Sequence, residues 1–395
     1  MTIGILTQPL SANYGCILQN YALQTILKRE GFKVYTINRC KPTMPKSKFI
    51  VFCVGSILKR GLLKWIFRKD VILRTWWATK KETTIINQNI DQFIAQNITQ
   101  TEKFFKNKFD IINKYEFDAY IVGSDQVWRP QYSPCLSNYF LDFLNGNKEV
   151  KKIVYAASFG VDNWEFTFQQ TEQCSYLAKQ FDAISVREDS AIELCDKYLG
   201  VEAIHVLDPT MLLKKEDYID LIKQGNIPER ENILFSYLVD ESDEKKCSIH
   251  KVAEELKLHP ISGMPPNSFH LKQSKKDLSD CIYMPVTEWI AGFRDAKFII
   301  TDSFHGTVFA ILFNKPFVVF ENENRGNARL NSLLKMFKIE NRLITSNVNF
   351  ETKLYDLDYS EINRIIEKER DKSLTYLLIA LVDTTTRKKK TQKFY

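Results

Sequence analysis

The sequence predicts an α/β protein built from two domains with parallel sheets. Short apolar, β-branched runs alternate with helical periodicity along most of the chain, which is the pattern of strands joined by crossover helices. With 395 residues the chain is too long for one ordinary hydrophobic core, so we expect two domains. Apolar residues make up 44% and charged residues 26% of the chain, which is the composition of a folded globular protein.

The first predicted domain covers residues 1–210. Its first helix runs from about residue 16 to residue 30, where Gly31 supplies the residue type that commonly ends a helix. Residues 45–115 interrupt the alternation of strands and helices, and we interpret them as a helical insert. The strands of this domain are predicted at residues 3–6, 33–37, 119–122, 153–157, 183–186 and 203–207.

A linker and a second domain follow. Residues 211–231 are charged and contain Gly and Pro, so we place the linker there. The second domain covers residues 232–350, and residues 351–395 contain a long helix at 360–382 and a solvated basic tail at 387–390. The strands of the second domain are predicted at residues 232–239, around 261, 297–301 and 316–320, and its helices at 243–257, 306–313 and 327–337.

Polar residues follow the apolar strands at one end of each predicted sheet. The carboxyl ends of parallel strands meet at one edge, and ligands of open α/β sheets bind at that edge. The loop after the first strand carries four candidate substrate-binding residues, Asn13, Tyr14, Gly15 and Gln19. It has one glycine where the GxGxxG dinucleotide motif has three, so NAD and FAD are disfavoured. The chain has no Walker, HExxH or GxSxG motif.

His305 is the strongest catalytic candidate. It lies at the junction 302–305 between a predicted strand and a predicted helix, where free N–H groups and the positive end of the helix attract anions. An imidazole titrating near pH 6.5 can move a proton beside a bound phosphate or carboxylate. Ser303, Gly306 and Thr307 are candidate substrate-binding residues, since glycine permits close approach of an anion and threonine adds a hydroxyl. The alternative interpretation is a core histidine bonded to the backbone.

Other predicted strand ends extend the candidate site. Arg187 follows an apolar strand and can hold a carboxylate or phosphate with two parallel hydrogen bonds, although a surface arginine is the alternative. Arg325 and Arg329 follow the last strand and either complete an anion pocket or are solvated loop charges. Asp125, beside Ser124 in a strand-end turn, is either a general base for a hydroxyl or part of an Asx turn that holds the loop.

Five short motifs occur in order along the chain. They are NYGCILQNYAL at residues 13–23, GSDQVW at 123–128, SVREDS at 185–190, LDPT at 207–210 and TDSFHGT at 301–307. Each motif alone is weak, whereas five in this order are specific. Together they resemble the polysaccharide pyruvyl transferase family, and the resemblance runs from about residue 4 to residue 345, leaving out the predicted insert.

The resemblance implies a fold like the two-Rossmann-domain glycosyltransferases of the GT-B type, with the site in the cleft between domains. It implies transfer of a pyruvyl group from phosphoenolpyruvate to two hydroxyls of a sugar as a cyclic ketal, releasing phosphate. The family's histidine corresponds to His305 and its strand-end arginine to Arg187, and His305 and Asp125 are the candidates for moving protons. The family's arginine two residues before the histidine is Ser303 here, so we expect Arg325 or Arg329 to contact the donor instead.

We expect no cofactor, and the need for a divalent metal stays open, as do two other functions. One is a nucleotide-sugar glycosyltransferase of the same two-domain shape. The other is a catalytically silent protein that binds polysaccharide precursors, which Ser303 in place of an arginine keeps open. A phosphate-release assay with phosphoenolpyruvate and candidate acceptors separates the three.

Composition and cysteine usage disfavour several further classes. The eight cysteines are scattered, without a CxxC pair or a Cys/His cluster at metal spacing, which disfavours structural zinc and disulfides. The chain opens directly into a predicted strand, without a signal-peptide pattern, so we expect a cytoplasmic protein. Residues 46–81 carry a net charge of +9, which leaves about −2 of the total of +7 for the rest, so nucleic-acid binding is disfavoured.

The basic segment at residues 46–81 also contains Trp65, Phe67, Trp76 and Trp77. Basic residues interleaved with large aromatic ones on a helical stretch are typical of a segment that lies in the membrane interface. The alternative is a solvated helical cover over the first domain, with the aromatic residues packed inward. Surface polysaccharides are often assembled on lipid carriers, so the resemblance favours a lipid-linked sugar acceptor and a peripheral position on the inner leaflet.

We therefore predict salt-sensitive binding to anionic liposomes, because each basic residue near an anionic surface adds roughly 1 kcal/mol of attraction. Co-sedimentation with anionic and neutral liposomes measures it. Binding should fall when five residues are changed to Gln: Lys59, Arg60, Lys64, Arg68 and Lys69. Equal and negligible binding of both forms to both kinds of liposome at low salt would refute the prediction.

Overall fold

The computed structural model describes residues 1–40, 78–103, 114–269, 278–345 and 357–382, apart from residues 134, 145, 323 and 324, together with residues 54, 55, 58, 65 and 66. Most of the predicted insert, including nearly all of the predicted membrane-interface segment, lies outside these residues, as does the predicted basic tail. Within the described residues, no helix is long and apolar enough to cross a membrane.

The first sheet contains six parallel strands. They are β1 (Thr2–Leu6), β2 (Lys33–Thr36), β3 (Ala119–Val122), β4 (Lys151–Ala157), β5 (Ala183–Val186) and β6 (Ile204–His205). Their order across the sheet is β2-β1-β3-β4-β5-β6, and every adjacent pair is parallel. Apolar clusters cover both faces of the sheet, as expected where crossover helices flank parallel strands.

Helices surround this sheet. They are α1 (Tyr14–Arg29), α2 (Lys80–Ile86), α3 (Gln88–Asn97), α4 (Phe168–Ala178) and α5 (Ser190–Leu194). Short helical turns lie at Leu136–Phe140, Asp142–Leu144, Cys195–Leu199 and Pro209–Met211. Helix α1 begins at Tyr14 because the side chain of Asn13 caps it and accepts a hydrogen bond from the Cys16 N–H at 3.1 Å. Helices α2 and α3 lie in the described part of the predicted insert.

The second sheet contains five parallel strands, β7 (Ile233–Tyr237), β8 (His259–Ser262), β9 (Ala296–Thr301), β10 (Phe317–Phe320) and β11 (Leu343–Ile344). Their order is β11-β10-β9-β7-β8. The remaining helices are α6 (Lys215–Gln224), α7 (Asp243–Leu256), α8 (Val286–Asp295), α9 (Phe304–Leu312), α10 (Ala328–Phe337) and α11 (Tyr359–Val382). Single helical turns lie at Ser279–Cys281 and Glu340–Arg342.

Both sheets are wound in the same way. In each, the first strand lies between the second and the third, so the chain reverses its direction of winding between β1 and β3 in one sheet and between β7 and β9 in the other. Ligands of doubly wound sheets bind outside the carboxyl ends of the strands at this switch point. The two switch points contribute residues to one cleft. The prediction of two Rossmann-like domains facing across a cleft is confirmed.

Two segments are more ordered and more closely packed than the sequence indicated. The predicted linker at residues 211–231 contains α6, whose Tyr218 is fully buried. Helix α11 agrees with the predicted terminal helix to within one residue, but it packs back onto the first domain. Ser373 accepts a hydrogen bond from the Leu207 N–H at 3.0 Å, and Arg370 donates to the Met211 carbonyl at 2.9 Å.

Candidate active site

The cleft between the two sheets is lined by residues from both domains. They include Asn13, Asp125 and Gln126 from the first domain and Ser303, His305, Arg325 and Arg329 from the second. Six of these seven residues are among the thirteen predicted site residues, and Gln126 is the exception. The structure thus brings together residues that lie up to 316 positions apart in the sequence. Behind the cleft, a buried network of ion pairs joins Asp125 to Asp208 through Arg187.

Arg187 is the centre of this network. It follows β5, and its side chain is 1% exposed. Its Nη1 donates to Asp208 Oδ2 at 2.8 Å and its Nη2 donates to Asp125 Oδ1 at 3.3 Å. The ring of Phe304 lies 4.5 Å from the guanidinium carbon. Arg187 therefore binds two carboxylates of the protein, each from a different strand end and each through one nitrogen. Its predicted two-point contact with a substrate carboxylate or phosphate stays a prediction.

Asp208 is the most deeply buried member of the network. It follows β6 and accepts hydrogen bonds from the Thr210 N–H and hydroxyl, at 3.0 and 2.7 Å, and its Oδ2 lies 3.2 Å from the Ser124 hydroxyl oxygen. Burial acts to raise the pKa of Asp208, but the charges of His305 and Arg187 and these hydrogen bonds hold that pKa well below its ordinary value. Asp208 is therefore ionised at neutral pH.

His305 lies in the first turn of α9, because the helix begins at Phe304 with Ser303 as its N-cap. Its Nε2 lies 3.6 Å from Asp208 Oδ2, and the side chain is 7% exposed. This buried Nε2 has no hydrogen-bond partner among the described residues. The alternative interpretation was a core histidine bonded to the backbone, and Nε2 makes no such bond to the described residues. The imidazole faces an ionised carboxylate on one side and lines the cleft.

Gly15 makes room for this histidine. A Cβ atom added at Gly15 would overlap the His305 ring at Nδ1. The imidazole of the second domain therefore lies directly against the start of α1, in the first domain. Gly15 was predicted to bind substrate, whereas the structure gives it a role in packing the two domains around His305.

Asp125 makes contacts both within its own turn and with the rest of the site. Its backbone φ is +70°, in the left-handed region, and its Oδ1 accepts a hydrogen bond from the Gln126 N–H at 2.9 Å, one residue on, whereas an Asx turn uses the N–H two residues on. The same carboxylate reaches the cleft and contacts Arg187. Burial acts to raise the pKa of Asp125, but the positive charges of Arg187, His305 and Arg329 lower it below its ordinary value. Asp125 is thus a second ionised carboxylate of the site.

Three predicted substrate-binding residues of the first domain are fully buried behind the cleft. Tyr14 stacks on Trp289 of the second domain, with ring centroids 5.0 Å apart, and donates to the Met284 carbonyl at 2.9 Å. Gln19 accepts a hydrogen bond from the Ser124 N–H at 3.2 Å, and the Ser124 hydroxyl donates to the Ala156 carbonyl at 2.8 Å. These residues position the cleft residues and are not exposed to the cleft.

At the start of α9, the predicted substrate-binding residues Gly306 and Thr307 are also packed inside the protein. Thr307 is fully buried and donates its hydroxyl to the Ser303 carbonyl at 3.0 Å. A Cβ atom added at Gly306 would overlap the Thr301 hydroxyl, so this glycine serves the packing of helix on strand instead of the approach of a ligand. Ser303 lines the cleft and makes no side-chain capping bond to α9. The N–H groups of the first turn therefore lack the usual side-chain cap.

Arg325 and Arg329 both line the cleft but differ in their partners. Arg325 is bound by Asp240, through hydrogen bonds of 2.7 and 3.3 Å to its two carboxylate oxygens. Arg329 is buried, and its Nη2 donates to the Arg325 carbonyl at 3.3 Å. Burial, reinforced by the charge of Arg187, lowers the pKa of Arg329 to about 10. It is still a cation at neutral pH.

Asp208 and Asp240 were absent from the predicted site residues. The signal for Asp208 was its position directly after a strand, at the edge where the other candidates lie. Asp240 follows β7 at the equivalent edge of the second sheet, but it belongs to none of the recognised motifs. Across the described part of the chain, no group of three His, Cys, Asp or Glu side chains is arranged to hold a metal ion.

The fold and the cleft define an α/β protein of two Rossmann-like domains with an interdomain site of buried charges. A family model described as polysaccharide pyruvyl transferase matches residues 13–324, which is most of the chain. The protein belongs to the polysaccharide pyruvyl transferase family. No curated protein matches the chain.

Several solved structures resemble it in fold. Arabidopsis thaliana UGT89C1 in complex with UDP has a TM-score of 0.49 and 10% identity, covering 95% of this chain and 98% of that one. The UDP-GlcNAc 2-epimerase from Neisseria meningitidis has a TM-score of 0.45 and 8% identity, covering 98% and 96%. Staphylococcus aureus MnaA with UDP has a TM-score of 0.44 and 12% identity, covering 95% and 91%. At these identities the likeness concerns the fold alone.

The contact between Gly15 and His305 generates the first of two predictions about this site. Gly15→Ala should destabilise the protein by about 1–3 kcal/mol, because the added methyl forces the imidazole to move. In a His305→Ala background the same substitution should be nearly neutral, since the overlapping ring is gone. Urea unfolding of the four proteins measures this coupling. Equal effects of Gly15→Ala in both backgrounds would contradict the proposed contact.

A second prediction concerns pH. Because its folded-state pKa is depressed, Asp208 contributes stability that is present above its unfolded pKa, near 3.9, and is lost as the pH falls through the folded value. Asp208→Asn should therefore cost about 3–5 kcal/mol at pH 7 and weaken the fall in stability below about pH 4. Urea unfolding from pH 3 to pH 7 tests it, with the exposed Asp220→Asn as control. Parallel pH profiles for Asp208→Asn and the unmodified protein would contradict it.

Proposed function

We propose that the protein transfers the pyruvyl group of phosphoenolpyruvate to two hydroxyls of a sugar in a surface-polysaccharide precursor, as a cyclic ketal with release of phosphate. The observation that carries the proposal is His305, whose buried Nε2 is unpartnered among the described residues beside the ionised Asp208. A histidine in this position can hold and release a proton inside a cleft built from two domains.

The reaction requires two proton movements. One sugar hydroxyl attacks C2 of the enol and the methylene carbon takes up a proton to become the methyl group. The second hydroxyl then displaces phosphate from C2, and its proton leaves with the phosphate. The two hydroxyl protons therefore balance the new C–H bond and the hydrogen phosphate.

His305 and Asp125 are the proposed proton carriers. We assign protonation of the methylene carbon to His305, because its imidazole lines the cleft and its Nε2 lies 3.6 Å from Asp208 Oδ2. Asp125 is ionised and reaches the same cleft, so we assign it removal of a hydroxyl proton. Arg187 binds both carboxylates and keeps them ionised, which makes it a positioning residue in this scheme.

The donor carries a phosphate and a carboxylate, which suits the charge of this cleft. The first turn of α9 points its N–H groups and the positive end of the helix dipole to the cleft, without a side-chain cap from Ser303. The proposed acceptor is a lipid-linked sugar at the inner leaflet. This part rests on the basic segment at residues 46–81, most of which lies outside the described residues.

His305→Ala should abolish phosphate release from phosphoenolpyruvate in the presence of an acceptor, because the proton carrier is lost, and should leave the protein folded. A coupled phosphate assay and a thermal melt measure the two properties. The control is His250→Ala, an exposed histidine of α7. The assignment fails if the His305 variant turns over normally, or if only its melting temperature falls. Turnover of nucleotide sugars alone would favour a glycosyltransferase, and no turnover of any donor a silent binding protein.

A further inference from the structure

Arg329 is a buried cation that lacks an ionic partner. It is 8% exposed, and its buried Nε has no acceptor among the described residues. Its one hydrogen bond there runs from Nη2 to the Arg325 carbonyl at 3.3 Å, and no carboxylate lies within ion-pair distance of it in this part of the chain. A buried, unpaired charge is costly, so such groups are normally paired.

The other arginines around the cleft already have partners. Arg187 binds Asp208 and Asp125, Arg325 binds Asp240, and Arg129 binds Glu165 at 3.2 Å. Of these four cations, Arg329 is the one whose charge the described residues leave without an ion pair. It also lines the cleft together with His305 and Ser303.

The surroundings of Arg329 favour an anion. It is the second residue of α10, so the positive end of that helix lies beside it, and the uncapped first turn of α9 faces the same cleft. Arg187 and Arg129 repel the charge of Arg329, and Asp125 and Glu188 attract it without forming an ion pair with it. A guanidinium with a free Nε can hold an oxyanion through two parallel hydrogen bonds.

We propose that Arg329 and the first turn of α9 form an oxyanion subsite that binds the phosphate or the carboxylate of the donor. The subsite rests on the proposed function only in naming phosphoenolpyruvate as the source of the anion. It also distinguishes Arg329 from Arg325, since the sequence predicted only that one of the two contacts the donor. Arg329 is the donor contact, whereas Arg325 is engaged by Asp240.

The test measures anion binding without turnover. Inorganic phosphate, pyruvate and phosphoenolpyruvate are titrated calorimetrically into the unmodified protein, Arg329→Lys, Arg329→Gln and the control Arg364→Gln, which removes an exposed arginine of α11. Arg329→Gln should weaken phosphoenolpyruvate binding by about tenfold or more, since a hydrogen-bonded charge pair is lost. Arg329→Lys should retain part of the affinity, and the control all of it. Loss for inorganic phosphate alone assigns the subsite to the phosphate, and loss for pyruvate alone assigns it to the carboxylate.

Stability without ligand gives a second readout. Arg329→Met should leave the melting temperature unchanged or raise it, because it removes an unpaired buried charge, and it should abolish the stabilisation by added phosphoenolpyruvate. Equal binding of all three anions by the unmodified protein and Arg329→Gln would overturn the subsite, as would an Arg329→Met variant that is strongly destabilised yet still stabilised by phosphoenolpyruvate. Arg329-dependent binding without phosphate release would overturn the proposed reaction and leave the subsite standing.

Discussion

The double ion pair of Arg187 is the interaction on which the site depends. One planar guanidinium binds Asp208 and Asp125, which come from the ends of two strands that are not adjacent in the sheet. Without the cation of Arg187, the two buried carboxylates would repel each other, and one would take up a proton. With the cation between them, both stay ionised and fixed. The negative charge that faces His305 is therefore a property of three residues acting together.

The second constraint is the close approach of the two domains at α1. Tyr14 inserts into an aromatic cluster of the second domain, and Gly15 lets the His305 ring lie against the same helix. The imidazole and its carboxylate belong to different domains. The pair of His305 and Asp208 thus forms only when α1 and α9 are in contact, which couples the geometry of the cleft to the interface beside it.

Much of the fold could be predicted from the sequence, because buried parallel strands appear as apolar runs and polar loops separate these runs. The strand ends also located Asp125, Arg187 and His305 at one edge, since parallel strands expose their carboxyl ends together. The direction of each side chain could not be predicted in this way. Tyr14, Gln19 and Thr307 share the polar loops and helix starts with the cleft residues, yet they face inward.

The structure also differs from the sequence-based prediction at Gly15 and Asp208, because both residues meet partners that are distant in the sequence. Gly15 was predicted to bind substrate, but the group that lies against it is an imidazole 290 positions later in the chain, which only the tertiary structure reveals. Asp208 was not among the predicted site residues, although it follows a predicted strand and belongs to the motif at residues 207–210. Its importance lies in the distant partners Arg187 and His305 that meet it in the folded protein.

The return of α11 to the first domain has a consequence for synthesis of the chain. The N–H of Leu207 and the carbonyl of Met211 find their partners on α11, which the ribosome makes only after the whole second domain. A newly synthesised first domain therefore lacks the hydrogen-bond partners of these backbone groups. Its packing is completed only after more than a hundred further residues have been made. Folding of this protein therefore cannot end domain by domain in the order of translation. The last helix closes the domain that was made first.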